Sequence, residues 1–406
     1  MFLSNDVIFS LTEKYGTPLY VYSEAILRER CRELKNLLPN KNFRVNYSAK
    51  ANTNLELLKI IKDEGLDVDA MSPGEIFIEQ LAGFTSDQIF FISNNVSAEE
   101  MRYAIDKNIL IGVDSLSQLE MYGQINPGGK VAVRFNPGKG AGHHEKVITA
   151  GKKTKFGVQM ELIPQVKDIV DKYDLELVGI NQHIGSLFLD WQAYINGVCS
   201  FLEIAKEFPN LSFIDFGGGF GVPYKPEESR LDLIRLGKEL DIVLTRFLEE
   251  YPNKELKIKI EPGRYIVAEC GVLLGSVTSV KNNYDTTYIG TDIGFNVLAR
   301  PVMYDSYHEV EILKRNISSN NDTRVKATIV GNICETGDIL ARDRELEAAE
   351  VGDILITFTA GAYGYAMSSN YNCRLRPAEV LIDLNKEARL IRKRDTLETL
   401  IQNFPI

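Results

Sequence analysis

Eight short, β-rich apolar runs alternate with longer segments of helical periodicity between residues 43 and 263, and this alternation limits the possible folds most strongly. Strands that are separated by helices pair in parallel through right-handed crossovers. Eight such strands in about 220 residues is the number in a (β/α)8 barrel, whereas a doubly wound open sheet usually has fewer. We therefore predict a TIM-type barrel whose strands lie in the runs 43–50, 66–72, 89–93, 109–115, 130–137, 175–184, 211–218 and 256–263.

The pattern changes after residue 263, where short alternating runs follow one another with few helical stretches between them. Such runs are typical of an all-β domain, here a β barrel or sandwich; they cover 272–281, 288–293, 308–313, 326–333, 353–358 and 379–382. The strand-like stretch 18–22 precedes the first helix of the barrel and can join this β region. The predicted domains are a barrel over 27–270 and a discontinuous β domain made of 1–26 and 271–406. The polar stretch 316–322 predicts an exposed turn.

Charge and cysteine content exclude several classes of protein. The chain has 406 residues with 46 basic and 56 acidic side chains, a net charge of −10, which disfavours nucleic-acid binding. No apolar run reaches the length of a membrane span, and the N-terminal residues lack a secretory signal. The five cysteines are scattered and form no CxxC pair, which favours a reducing compartment. We therefore expect a cytoplasmic protein. We also expect no metal site, because no ligand spacing typical of metal sites occurs.

The functional residues of a (β/α)8 barrel lie at the carboxyl ends of its strands. Lys50 ends the first predicted strand. There it would point into a partly desolvated site, which lowers the pKa of its amine and suits a Schiff-base lysine. The alternative is a solvated lysine at a strand terminus.

Three further strand ends carry candidate ligand-binding residues. The run Gly217–Gly219 can approach an anion closely and present N–H groups to a phosphate, or it can simply form a tight turn. Glu261, followed by Gly263 and Arg264, can hold a pyridine nitrogen protonated, or it can form a surface salt bridge. His183 can stack on a planar cofactor while Ser186 binds its phosphate, although a lone histidine is more often structural.

The β region contributes a second set of polar residues. Cys334 and Glu335 follow one predicted strand, Tyr363 follows another, and Arg300 and Tyr304 lie in a predicted loop. Each has a structural alternative, such as a buried thiol, an aromatic core position or a surface ion pair. Together they favour a ligand of mixed charge bound between domains or subunits.

Six motifs occur in an order that resembles the barrel-type pyridoxal-phosphate decarboxylases, and among them the diaminopimelate decarboxylases. The similarity covers about residues 17–394. Its motifs are Tyr-Ser-Ala-Lys-Ala-Asn at 47–52, His-Ile-Gly-Ser at 183–186, Gly-Gly-Gly at 217–219, Glu-Pro-Gly-Arg at 261–264, Cys-Glu-Thr-Gly-Asp at 334–338, and Gly-Ala-Tyr-Gly-Tyr-Ala-Met-Ser-Ser-Asn-Tyr-Asn at 361–372.

This resemblance implies a role for each candidate residue. Pyridoxal 5′-phosphate would be the cofactor, bound covalently by Lys50. The other cofactor-binding residues would be Asp69, His183, Ser186, Gly217, Gly218, Gly219, Glu261, Gly263, Arg264 and Tyr363, with Glu75 matching a further acidic position. The substrate-binding residues would be Arg264, Arg300, Tyr304, Glu335 and Tyr363. Cys334 would be the catalytic proton donor and would come from the neighbouring subunit, so that the active unit would be a homodimer.

The resemblance implies decarboxylation of meso-diaminopimelate to L-lysine, because Arg300 and Glu335 would match a distal carboxylate and a distal amine. Related decarboxylases of ornithine, arginine or carboxynorspermidine are the main alternative. A racemase of this fold would carry an arginine where Glu261 lies, and a non-catalytic relative would lack Lys50 or Cys334. The residues after His-Ile-Gly-Ser, at 187–188, depart from the family pattern, and Cys270 has no assigned role.

Overall fold

A computed structural model describes residues 2–92, 94–137, 155–183, 185–315 and 324–405. The chain divides into two compact units. The barrel unit consists of 28–223 and 229–266, and the β unit consists of 1–27, 224–228 and 267–406. The turn predicted at 316–322 lies outside the described residues. None of the helices in the described ranges combines the length and the apolar character that crossing a membrane requires.

The barrel unit contains eight parallel strands that close into a TIM-type barrel, as predicted. With strands numbered along the chain, the barrel order is β5-β4-β3-β2-β10-β9-β8-β6, and pairing of β5 with β6 closes it. Each strand lies within one of the eight predicted runs. They are β2 (Phe43–Ser48), β3 (Asp67–Ala70), β4 (Ile89–Ile92), β5 (Leu110–Val113), β6 (Lys130–Asn136), β8 (Glu176–Asn181), β9 (Phe213–Asp215) and β10 (Lys257–Ile260), with a short β7 (Val158–Gln159) beside β6.

Helices follow the barrel strands and are held at their ends by polar side chains. Ser72, for example, accepts a hydrogen bond from the Glu75 N–H (3.2 Å) at the start of α4, and Gly83 ends that helix in a left-handed conformation. The helices are α2 (Glu24–Lys35), α3 (Leu55–Asp63), α4 (Pro73–Ala82), α5 (Ala98–Asp106), α6 (Leu116–Ile125), α7 (Ile163–Lys172), α8 (Trp191–Ala205), α9 (Leu233–Glu250) and the one-turn α10 (Arg264–Val267).

The β unit is built on a nine-stranded sheet. Its main path is β15-β14-β12-β11-β1-β17-β18, and β16 pairs with both β11 and β13. The N-terminal strand β1 pairs antiparallel with β11 and parallel with β17, so it joins the C-terminal β region as predicted. The strands are β1 (Leu19–Ser23), β11 (Gly271–Asn283), β12 (Thr286–Thr291), β13 (Val310–Leu313), β14 (Arg324–Val330), β15 (Ile339–Glu347), β16 (Ile354–Thr357), β17 (Ala378–Ile382) and β18 (Ala388–Arg392).

Some elements of the β unit differ from the sequence prediction. Strands β15 and β18 and the helices α1 (Asn5–Tyr15) and α12 (Leu397–Ile401) were not predicted. Strand β15 exposes most of its charged side chains, and neither strand shows a clear alternation of buried and exposed residues. The predicted loop at 300–304 is wrong, because these residues form a short helix, α11 (Arg300–Tyr304). Pro301 lies in its first turn, where a missing N–H costs nothing, and Asp305 ends it with φ +50°.

Candidate active site

Lys50 lies in a short turn that packs against the segment after the last barrel strand. The turn, Ala49–Ala51, continues directly from β2. The Ser48 N–H donates to the Pro262 carbonyl oxygen (3.2 Å), and a Cβ on Gly263 would lie only 3.0 Å from the Ser48 carbonyl oxygen. The lysine side chain itself is exposed. The expected desolvation of Lys50 is therefore wrong for this chain, because the turn carries the residue beyond the apolar strand.

Three carboxyl groups lie close enough to affect one another near this turn. Asp69 is the next-to-last residue of β3 and is buried. Burial together with Glu75 raises its pKa to about 7 against the opposing charge of Lys50. Glu75 accepts a hydrogen bond from the Met71 N–H (2.6 Å), and burial raises its pKa as well. Glu79, one helical turn further along α4, is fully buried, and burial with Asp69 and Glu75 raises its pKa to about 9.

Glu261 is a buried acid that directly follows β10. Burial, followed by the charges of Asp215 and Asp69, raises its pKa well above the ordinary value. Among the described residues, its Oε1 atom has no hydrogen-bond partner. A buried polar atom of this kind costs free energy unless a ligand satisfies it. A protonated ring nitrogen would supply both a hydrogen bond and a compensating charge.

The glycine run after β9 forms a tight loop that a side chain would obstruct. Gly217 and Gly219 have φ values of +72° and +106°, and a Cβ on Gly218 would press against the Glu261 carbonyl oxygen. Phe188 supports the loop, since its N–H donates to the Gly219 carbonyl oxygen (2.8 Å) and its own carbonyl accepts from Gly221 (2.8 Å). The departure at 187–188 therefore packs against the glycine loop through backbone bonds and also through the Phe188 ring, which a Cβ on Gly219 would meet.

His183 and Ser186 lie beside this loop. The Gly218 N–H donates to His183 Nδ1 (3.2 Å), so that nitrogen carries no proton. Burial and the positive charges of Lys50 and Arg134 lower the pKa of the imidazole well below its usual range. Both observations assign a neutral ring to His183. The Ser186 hydroxyl accepts a hydrogen bond from Arg264 Nη2 (3.2 Å).

The predicted residues of the β unit form two contact groups. Arg300 is buried at the start of α11, and Tyr304 ends the same helix. Cys334 and Glu335 are exposed and bond to a segment almost forty residues further along the chain. Asn372 Oδ1 accepts from the Cys334 N–H (2.9 Å), and Glu335 Oε1 accepts from the Tyr371 hydroxyl (2.5 Å).

Tyr363, the remaining predicted residue of the β unit, has an unusual backbone conformation. Its φ is +56°, an uncommon conformation for a residue other than glycine and one that occurs often at functional sites.

Comparison with known proteins extends over nearly the whole chain. Residues 24–268 match the family model described as "Pyridoxal-dependent decarboxylase, pyridoxal binding domain". The diaminopimelate decarboxylase of Methanothermobacter thermautotrophicus is 41% identical, over 97% of this chain and 94% of the relative. The chain belongs to the pyridoxal-dependent decarboxylases, among the diaminopimelate decarboxylases.

Solved structures of this family share the fold. A crystal structure of diaminopimelate decarboxylase superposes with a TM-score of 0.92 and 32% identity, covering 98% of this chain and 96% of that one. The enzyme from Helicobacter pylori, complexed with L-lysine, gives a TM-score of 0.88 and 30% identity, with 97% and 98% coverage. The predicted fold class and family resemblance are confirmed.

The barrel-unit residues fit the pyridoxal phosphate that this family of decarboxylases uses. An exposed amine on Lys50 is available for covalent attachment. The Gly217–Gly219 loop allows close approach to a phosphate. The Glu261 Oε1 atom, which has no hydrogen-bond partner in the described part of the chain, suits a protonated pyridine. His183 offers a neutral ring beside both.

Sequence reasoning assigned no role to three ionisable residues of this decarboxylase barrel, the buried Asp215 and Glu79 and the half-buried Lys259. Asp215 accepts a hydrogen bond from the Gly217 N–H (2.8 Å) through its Oδ1 atom. Lys259 is paired in register with Asp215, and its Nζ lies 4.7 Å from the Phe213 ring centroid. Lys259 lies on β10 two residues before Glu261, which directly follows that strand. Alternate residues of an extended segment point to the same side, so that spacing could have revealed the lysine. Glu79 gave no signal beyond its place in an amphipathic helix.

Cys270, which also had no assigned role, is a buried residue of the β unit. Its Sγ donates to the Val267 carbonyl oxygen (3.2 Å), a contact that accounts for it as a structural thiol.

Proposed function

We propose that this chain decarboxylates meso-diaminopimelate and releases L-lysine and CO2. The observation that carries the proposal is the buried Glu261 carboxyl beside the turn that bears Lys50. A carboxylate at this position favours a full positive charge on a pyridine nitrogen, which decarboxylation needs. The 41% identity to a diaminopimelate decarboxylase supports this substrate.

In this proposal the barrel unit binds the cofactor and supplies its electrostatic environment. Pyridoxal phosphate, when bound, accepts the electron pair that remains when CO2 leaves. Lys50 holds the cofactor covalently, while Gly217–Gly219 and Ser186, together with Tyr363 of the β unit, bind its phosphate. Glu261 keeps a proton on the ring nitrogen. Gly263 allows the chain to pass close to the Lys50 turn, as its contact with Ser48 requires.

The neutral His183 ring stacks on the cofactor in the proposal. Asp69, whose pKa burial raises to about 7 against the charge of Lys50, adjusts the charge around the amine.

The β unit supplies substrate recognition and a proton in the same proposal. Arg264 of the barrel unit, Arg300 and Tyr304 bind the distal carboxylate, Glu335 binds the distal amine, and Tyr363 also contacts the substrate. After the bond between the substrate's α-carbon and its carboxylate breaks, the Cys334 thiol gives a proton to that carbon. Its exposure in the single chain is consistent with a thiol that a second copy of the chain uses.

We also infer a homodimer with shared sites and a cytoplasmic location. None of the five cysteines, all of which lie among the described residues, forms a disulfide, which suits a reducing compartment. Dimerisation would cover the exposed group formed by Cys334, Glu335 and Tyr371.

A substrate comparison on purified protein loaded with pyridoxal phosphate tests the reaction. CO2 and amine products are quantified with meso-diaminopimelate, ornithine, lysine, arginine and carboxynorspermidine side by side. Release of CO2 and L-lysine from meso-diaminopimelate alone supports the proposal, and Arg300→Ala should then raise KM strongly. Turnover of another of these amino acids instead would refute the assigned substrate while leaving the cofactor chemistry in place.

A further inference from the structure

The β unit holds Arg300 in a network that the residue types alone do not explain. Arg300 and His308 are 3% and 1% exposed. The Arg300 Nη1 atom lies 2.8 Å from His308 Nε2, and His308 Nδ1 lies 2.9 Å from the Phe358 carbonyl oxygen. Two successive hydrogen bonds therefore connect the guanidinium, through one imidazole, to the backbone that follows β16.

These two contacts fix the tautomer of His308. A carbonyl oxygen can only accept, so the bond to Phe358 places a proton on Nδ1. A guanidinium can only donate, so Nε2 must present its lone pair to Arg300. The neutral ring protonated at Nδ1 is the one form that makes both bonds. His308 therefore orients the guanidinium without bringing a negative charge to it. A carboxylate in the same place would offset the positive charge of the guanidinium.

Tyr224 completes the arrangement on the flat face of the guanidinium. The Arg300 Cζ lies 4.5 Å from the Tyr224 ring centroid, a cation–π distance. The same ring meets His308 edge-on, with centroids 5.3 Å apart and planes at 80°. The guanidinium is thus held at one edge by a neutral acceptor and on one face by an aromatic ring, and both contacts preserve its charge.

The backbone around His308 is itself anchored. Phe358 N–H donates to the Glu309 carbonyl oxygen (2.9 Å), so the acceptor of the His308 Nδ1 proton is tied to the residue that follows the histidine. A rigid support of this kind is what precise placement of a charged side chain requires.

We propose that His308, together with Tyr224, is a positioning residue that aims Arg300 at the distal carboxylate and so sets the preference for substrates bearing a second carboxylate. This inference rests on the proposed function, in which Arg300 binds that carboxylate. L-lysine keeps the distal carboxylate after CO2 leaves the other end, whereas 1,5-diaminopentane lacks it. The two compounds therefore report separately on the Arg300 contact and on the rest of the site.

The test compares two substitutions that each retain a different bond of the imidazole. His308→Asn can keep the donor to Phe358 but is too short to reach Arg300, while His308→Gln can place an amide oxygen where Nε2 lies. In the holoenzyme, we expect His308→Asn to raise KM for meso-diaminopimelate and Ki for L-lysine about 10–100-fold. This is the loss of affinity that usually follows the removal of a hydrogen bond to a charged group. We expect kcat and Ki for 1,5-diaminopentane to change less than about 3-fold, and His308→Gln to restore most of the loss.

Two further variants keep the outcome interpretable. Tyr224→Leu leaves both hydrogen bonds of His308 in place and should weaken L-lysine binding several-fold on its own, so the inference can be judged even if His308→Asn does not fold. Arg300→Ala shows how much L-lysine affinity is lost when the guanidinium itself is removed. If Arg300→Ala weakens L-lysine but His308→Asn and Tyr224→Leu do not, or if they weaken both ligands equally, the positioning role is wrong. If Arg300→Ala leaves L-lysine binding unchanged, the assigned role of Arg300 fails, and the inference with it.

Discussion

Glu79 should make the folded protein less stable as the pH rises, and Glu79→Gln should remove that effect. The side chain is fully buried on α4, and neither carboxyl oxygen has a hydrogen-bond partner among the described residues. Burial, with Asp69 and Glu75 nearby, raises its pKa from 4.5 to about 9. Between these two pH values the folded state holds a proton that the unfolded state releases.

The sign and the size of the effect follow from this difference in bound protons. Because the folded state binds more protons, its free energy of unfolding falls by about 1.4 kcal/mol for each pH unit above 4.5. The stability that the protonated group contributes is complete below pH 4.5 and is lost as the pH rises towards 9. Glutamine has almost the same shape and no proton to lose. The free energy of unfolding of Glu79→Gln should therefore match that of the wild type near pH 4.5 and exceed it by at most about 3.5 kcal/mol at pH 7.

Thermal unfolding of the holoenzyme between pH 5.5 and 8.5 measures this difference. For a unit of the size of the barrel unit, the Tm advantage of Glu79→Gln should grow by about 3–6 °C per pH unit. Glu249→Gln, which changes an exposed glutamate near the end of α9, is the matched control and should show no such trend. A Tm advantage that stays constant across the range would refute the reasoning, because it would mean that Glu79 is not protonated in the folded protein.

Two other substitutions test the site itself. Gly218→Ala should weaken pyridoxal phosphate binding at least about tenfold in a spectroscopic titration, since its Cβ would meet the Glu261 carbonyl oxygen. Gly74→Ala is the control, because its Cβ would make only an ordinary contact at 3.6 Å; equal affinity of the two variants would contradict a crowded loop. Mixing Lys50→Ala with Cys334→Ala subunits should recover about a quarter of wild-type activity if sites are shared between subunits, and no recovery in confirmed heterodimers would exclude sharing.

Much of the fold could be predicted because local and long-range signals agree in the barrel. Each of its eight strands is a short apolar run between helices, so hydrophobic pattern, length and crossover handedness all favour the same topology. The fold of the β unit was harder to predict from the sequence. Strand β15 (Ile339–Glu347) carries five charged residues and exposes most of them, so no alternation of apolar residues marks it. The short helix α11 (Arg300–Tyr304) is stabilised by its surroundings rather than by its own length.

Candidate site residues could be predicted where chemistry is tied to a strand end, and not where it depends on burial. Lys50, His183 and Glu261 follow barrel strands, so their positions followed from the fold. The charge state of Glu261, in contrast, depends on burial and on Asp215 and Asp69, which no local pattern reveals.

The same distinction explains His308. Nothing in the sequence around residue 308 indicates that one of its nitrogens faces an arginine and the other a carbonyl oxygen fifty residues away. Yet a carboxylate-binding arginine must be oriented without a second anion beside it, and a neutral hydrogen-bond acceptor satisfies both requirements. A histidine with one nitrogen committed to a backbone carbonyl is such an acceptor. Selectivity for a substrate with two carboxylates can therefore depend as much on the neutrality of this second residue as on the arginine that binds.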